Sequence, residues 1–127
     1  MSAYVTVGAL DCARSNAFYD AILATIGWMK HVEFPDWRAY SEGGSGKGFV
    51  LWVCKPFDGE PATAGNGSMV GFMAKSPAEV DAFYRAAMAS GGADEGAPGP
   101  RPHYGPDWYS AYMRDPSGNK ISVVYNG

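Results

Sequence analysis

The residues best equipped for chemistry sit in one Gly/Pro-rich stretch, Asp94–Asp107 (DEGAPGPRPHYGPD), with Trp108 and Tyr109 directly after it. It carries His103, an imidazole that titrates near neutral pH as a general acid–base must. No nucleophile or partner carboxylate stands at a diagnostic spacing from His103. A loop histidine that holds a backbone carbonyl is therefore the simpler account. Arg101 has the planar fork that clamps a carboxylate or phosphate through two hydrogen bonds, although a surface role explains it as well. Tyr104 adds a ring with a polar tip. A connection this long, without strand or helix periodicity, is the kind that small domains use as a binding loop or lid.

Little else competes. The second histidine, in His31-x-Glu33, has the i, i+2 spacing that points two side chains to one face of a strand. A solvated polar pair accounts for it more simply than a metal pair. Glu42, Glu60 and Glu95 lie in turn-rich segments and read as surface charge. Cys12 and Cys54 have no CxxC spacing and are too few for a disulfide scaffold, so two buried free thiols are expected.

These groups must be positioned by a chain of 127 residues, enough for one compact domain or two half-domains with a shared core. A net charge of −3, with no basic stripe, argues against nucleic acid as a partner. No apolar run approaches the ~20 residues of a membrane span. The N-terminal MSAYVTVGALD does not read as a signal peptide, and a cytoplasmic protein is expected. Seventeen Gly and nine Pro favour many short strands and tight turns over a helix bundle.

An internal repeat organises the chain. Offset by 65 residues, Tyr4–Trp28 falls over Met69–Ala93, with an Ala-Phe-Tyr triplet and a boundary glycine shared between copies. Each copy opens with a short apolar strand, Tyr4–Ala9 and Met69–Ala74, and each strand feeds a helix. Asp11 is positioned as the first N-cap. Ser76-Pro77-Ala78-Glu79 combines an N-cap Ser, Pro at N1 and Glu at N3. Phe18, Ile22 and Ile26, and again Val80, Phe83 and Ala87, give each helix one apolar face. Strands are predicted at Trp28–Phe34, Trp37–Ser41, Gly48–Cys54, Trp108–Arg114 and Lys120–Tyr125, with a weak one near Gly92–Asp94. Asp115–Asn119 reads as a hairpin turn. The predicted fold is α+β, two tandem βαβββ modules forming a curved mixed sheet around a shared cleft. One domain covers 1–127, with module one at about 1–56, a linker at about 57–67 and module two at about 68–127.

Paired modules, the motif Arg14-Ser15-x-x-Phe18-Tyr19 and the hairpin Arg114-Asp115-Pro116-x-Gly118-Asn119-Lys120 resemble the vicinal oxygen chelate superfamily. Glyoxalase I, extradiol dioxygenases and bleomycin-resistance proteins belong to it. Lys55–Gly59 and Gly99–Pro106 resemble a small bacterial glyoxalase-like branch. In metal-dependent members His, Glu or Gln from four strands hold a divalent ion. The resemblance places those positions at Tyr4, Leu51 (or Trp52, one residue on), Met69 and Ser122. A phenol, an alkyl chain, a thioether and a hydroxyl are not a ligand set for such an ion. The expectation is therefore no metal and no cofactor.

Strand alternation from these four positions lines the cleft with Tyr4, Thr6 and Gly8; Phe49, Leu51 and Val53; Met69, Gly71 and Met73; and Ser122 and Val124. Such a pocket suits a flat or greasy organic ligand, unless those side chains fill it as core. Trp37, Tyr40, Trp52 and Tyr112 are expected in the core or a dimer interface rather than in catalysis. Three functions follow as expectations. One is a small-molecule-binding protein of the bleomycin-resistance kind, with Tyr4, Leu51, Met69, Arg101, His103, Tyr104 and Ser122 as ligand contacts. The second is a metal-dependent lyase or dioxygenase with unrecognised ligands, and the third a non-catalytic dimerisation module with a filled cleft. A homodimer is expected in each case, since half-barrel modules leave sheet edges and aromatic surface to cover.

Overall fold

A computed structural model describes residues 1–127. Module one runs β1 (Ala3–Gly8), α1 (Cys12–Ala24), β2 (Trp28–Phe34), β3 (Trp37–Glu42) and β4 (Phe49–Cys54). Module two repeats the series as β5 (Val70–Met73), α2 (Pro77–Ala89), β6 (Ala93–Pro100), β7 (Trp108–Arg114) and β8 (Lys120–Asn126). Each module builds its own four-stranded mixed sheet, ordered β1-β4-β3-β2 in the first and β5-β8-β7-β6 in the second. The first strand of each lies parallel to the last, and the other pairings are antiparallel. The repeat in the sequence is thus a repeat in topology. No helix is long and apolar enough to cross a membrane.

The helices start where their caps dictate. The Asp11 carboxylate accepts from Arg14 N at 3.1 Å. Ser76 Oγ accepts from Glu79 N at 3.1 Å, and Glu79 Oε1 accepts in turn from Lys75 N at 2.9 Å. Orphan N–H groups of both first turns are thereby satisfied. Behind the helices, Gly27 (φ 79°) and Gly91 (φ 95°) turn the chain through the left-handed region, where a side chain would be strained.

One core serves both modules. Phe18, Tyr19, Ile22 and Leu23 of α1 and Val80, Phe83 and Ala87 of α2 are buried in a single apolar cluster with residues of both sheets. Trp28 of module one meets Phe72 of module two edge-on, with ring centroids 5.4 Å apart. Neither half has a core of its own to fold around, consistent with the difficulty of stabilising so small a unit alone.

The β7–β8 turn joins the modules a second time. Asp115 is buried and accepts from Ser117 N, Asn119 N, the Asn119 amide and Tyr19 Oη, all at 2.7–2.9 Å. Asn119 Nδ2 also donates to Gly8 O at 2.8 Å, and Ser117 Oγ accepts from Leu10 N at 2.9 Å. The turn motif of module two is therefore clamped onto the strand-to-helix corner of module one.

The weak strand near Gly92–Asp94 is instead an eight-residue strand, β6, so the predicted lid shortens to Arg101–Asp107. Two register shifts, between Asp94 and Gly96 and between Gly96 and Gly99, break its alternation. Pro98 and Pro100 lack an N–H and suit only an edge strand. Such a strand leaves no period-2 signal.

Candidate functional site

A cavity of about 950 Å³ lies against the sheet of module one. Tyr4, Thr6 and Gly8 reach it from β1, Trp52 and Cys54 from β4, and Trp37 from the start of β3. Strand geometry explains the set. Side chains two apart share a face, and the parallel register sets Thr6 beside Trp52 and Gly8 beside Cys54. On the opposite face Val5, Val7, Leu51 and Val53 pack into the core or against it.

Leu51 is accordingly not a cavity residue. It is fully buried in the core, and Trp52, one residue on, takes the place on the cavity face. Phe49 and Val53 follow Leu51 off that face. β4 is apolar on both sides, so its sequence could not say which set faced the helix.

Aromatic rings wall the cavity. Trp37 and Trp52 lie 5.0 Å apart, and Phe34 stacks on Trp37 at 4.5 Å with only 17° between planes. Tyr4 is 62% exposed and Trp37 42%, so the wall is open to a ligand. The linker closes the far side with Pro56, Phe57, Ala62 and Thr63. Ala62 is nearly buried, and a Cβ on Gly8 would lie 2.8 Å from its Cβ. Only glycine at position 8 lets the linker lie so close. A turn-rich linker gave no sequence signal that it would become a wall.

The polar groups are few: the Tyr4 and threonine hydroxyls, the neighbouring Asp36 and Lys55, and the Cys54 thiol. Burial, reinforced by neighbouring Cys12, pushes the Cys54 thiol above its ordinary range. It is a neutral apolar group at neutral pH. The lining offers no histidine for proton transfer.

The other predicted contacts lie elsewhere. Met69 borders a second cavity of about 480 Å³ between the free edges of β1 and β5. Ser122 is buried on β8 next to Gly71, where a Cβ would meet its Oγ at 3.2 Å. Arg101 spends its guanidinium on the carbonyls of Ala97 (2.8 Å) and Gly99 (2.9 Å) and lies over the Tyr112 ring, bracing the bulged strand. His103 is exposed and packs against Tyr104 at 4.1 Å, and Tyr104 packs on Trp108 at 5.6 Å. Arg101, His103 and Tyr104 do not line the large cavity.

His31 and Glu33 also separate, because a bulge between Lys30 and Val32 shifts the register. His31 Nδ1 pairs with Ser41 Oγ at 2.9 Å, and Ser41 Oγ accepts from Gly46 N at 2.8 Å. The Glu33 carboxylate pairs with Lys30 at 2.9 Å and Arg38 at 2.6 Å. The Lys30 hydrogen bond first, then the Arg38 charge, holds it below the usual carboxylate range.

The inherited metal positions fail the test of donor chemistry. A phenol, an indole in place of the buried alkyl chain, a thioether and a buried hydroxyl cannot satisfy a divalent ion. No three His, Cys, Asp or Glu side chains gather closely enough to hold one. The residues present do not fit the metal of the family's metalloenzymes.

The model of the Glyoxalase/Bleomycin resistance protein/Dioxygenase superfamily matches residues 3–123. Among solved structures, a glyoxalase/bleomycin resistance protein from Albidiferax ferrireducens T118 is 39% identical, with a TM-score of 0.85 over 100% of this chain and 98% of that one. A glyoxalase-related enzyme from Fulvimarina pelagi is 23% identical, with a TM-score of 0.76 over 99% and 88%. Lactoylglutathione lyase from Agrobacterium tumefaciens is also 23% identical, with a TM-score of 0.66 over 98% and 92%. At that identity the last two speak for the fold alone. None of the curated proteins matches the chain. With repeat, topology and family model in agreement, the chain belongs to the Glyoxalase/Bleomycin resistance protein/Dioxygenase superfamily.

Proposed function

We propose that this protein binds a small, flat organic molecule in the aromatic-walled cavity of module one, without a metal ion. The observation that carries the reading is the open pair Trp37 and Trp52, 5.0 Å apart, in a cavity large enough for a drug-sized molecule. Planar ligands stack on such rings and gain both buried area and face-to-face or edge contact. The Tyr4 hydroxyl, Asp36 and Lys55 supply orienting polar groups. The neutral Cys54 thiol and the absence of histidine from the lining favour binding over turnover. The Albidiferax ferrireducens relative is a glyoxalase/bleomycin resistance protein, which is compatible with a binding role here.

The working unit in this reading is a homodimer. Tyr4, Phe34, Trp37, Phe57, Met69 and Met73 leave much apolar surface open in one chain, and Phe57 is fully exposed. An isologous partner covering part of that surface would also deepen the cavity.

The test is a titration of the purified protein with a naphthalene sulfonate dye, followed by tryptophan quenching. Saturable binding of one dye per protomer is expected, with an affinity at least ~10-fold weaker in Trp52→Ala, about 1.4 kcal/mol. Non-saturable quenching, or equal affinity in the variant, would refute the site. A sedimentation mass near 13.5 kDa at micromolar protein would refute the dimer.

A further inference from the structure

We propose that Cys12 and Cys54 form a peroxide-responsive dithiol that closes to an intramolecular disulfide at the wall of the large cavity. Both cysteines are free and both are half-buried. Three contacts bring them to one spot, although 42 residues separate them in sequence. Cys12 Sγ lies 3.7 Å from Asp36 O, and that same oxygen accepts from Lys55 N, the amide that directly follows Cys54, at 2.9 Å. The Cys54 carbonyl accepts from Ala9 N at 2.9 Å, which carries the β1–β4 ladder one step past Gly8, three residues before Cys12. The effect of Cys12 on the Cys54 thiol agrees with this proximity. Cys54 lines the cavity, so a small oxidant has a route to the pair.

The chemistry balances with a hydroperoxide as the oxidant. One cysteine, through the small thiolate fraction in equilibrium with its neutral thiol, attacks a peroxide oxygen and becomes a sulfenic acid, and the departing hydroxide takes up the released proton as water. The second thiolate then attacks the sulfenic sulfur, forms the S–S bond and expels hydroxide, which is protonated by the second thiol's proton. Two thiols and one hydrogen peroxide become one disulfide and two waters. The pair spans the junction of α1 with β4, so the bond would fasten the first helical turn to the strand that carries Trp52. Closure asks for a Cα separation within about 7 Å, and the shared Asp36 oxygen brings the Cys12 side chain to the backbone that directly follows Cys54.

The experiment treats the folded protein with a few equivalents of hydrogen peroxide, blocks remaining thiols with an alkylating reagent and maps peptides without reduction. The expected result is loss of both free thiols together and one linked peptide joining the Cys12 and Cys54 segments, reversed by dithiothreitol. Cys12→Ser and Cys54→Ser should each abolish that peptide while circular dichroism shows the native spectrum. If one variant fails to fold, the other still decides, because either serine removes a bonding partner. Two thiols still free after treatment, independent oxidation to sulfinic acids, or linkage only between two chains would each overturn the proposal.

Discussion

The Tyr19 hydroxyl of α1 donates to the Asp115 carboxylate of the β7–β8 turn at 2.7 Å, across 96 residues of chain. Both groups are buried, so the bond forms in a medium where an unpaired partner is costly. It ties the two motifs on which the family resemblance rests to each other.

Tyr19→Phe removes one donor but leaves Asp115 three others, so a loss of about 1–2 kcal/mol is expected. Asp115→Ala orphans Tyr19 Oη, two backbone N–H groups and an Asn119 amide hydrogen. It should cost about 3 kcal/mol or more. Urea denaturation of the two variants checks the order, and equal losses would show that the turn does not depend on its carboxylate.

Alkaline pH should weaken the fold. Burial first, and then the Asp115 charge, holds the Tyr19 hydroxyl well above the ordinary tyrosine range. Burial and a hydrogen bond to Asp20 raise Tyr40 as well. Unfolded tyrosines lose their protons at about pH 10 while the folded ones keep theirs. Above that pH the native state binds more protons than the unfolded state, so stability falls as pH rises. It is fully present below pH ~10. Denaturation midpoints measured from pH 8 upward should be flat to about pH 10 and then drop. A midpoint that holds through pH ~11 would contradict the assignment.

Gly8→Ala tests the linker as a wall. The new Cβ would sit 2.8 Å from Ala62 Cβ, well inside contact distance, so the linker must move. A stability loss of about 1–3 kcal/mol is expected from overpacking, together with weaker dye binding in the cavity. Unchanged binding would place the ligand away from the linker side.

His103→Ala should leave the fold intact and shift stability by less than about 1 kcal/mol, as for an exposed side chain packed against the ring of Tyr104. Dye affinity should not change, because His103 is not part of the cavity lining. A large loss of affinity would bring the Arg101–Asp107 loop back into the site.

Protein dialysed without chelator should carry well under one equivalent of zinc, nickel, manganese or iron, measured by elemental analysis. The prediction rests on the donor chemistry at Tyr4, Trp52, Met69 and Ser122. Stoichiometric metal would return the lyase or dioxygenase reading to first place.

The elements were legible where short-range chemistry defines them. The Ser76–Glu79 box and the Asp11 cap each encode a local geometry, and both are present as read. The repeat was legible because duplicated strands and helices keep their spacing. What failed was whatever depends on partners distant in sequence. The side of β4 that meets the helix is decided by packing, which Leu51 and Trp52 cannot announce. β6 was obscured by its bulges and prolines. Asp115 read as an ordinary turn residue, because its buried partner lies in the other module. The long linker looked like a spacer and is a wall.

The Asn119 bond to Gly8 and the Ser117 bond to Leu10 have a consequence in time as well as in space. A ribosome delivers Gly8 and Tyr19 roughly 100 residues before the turn that completes them, a delay of about 5–20 seconds at ordinary elongation rates. Throughout that interval the corner after β1 must be capped by water or by a chaperone, and α1 has no α2 to pack against. The first half of the newborn chain therefore waits, incompletely packed, for the end of its own translation.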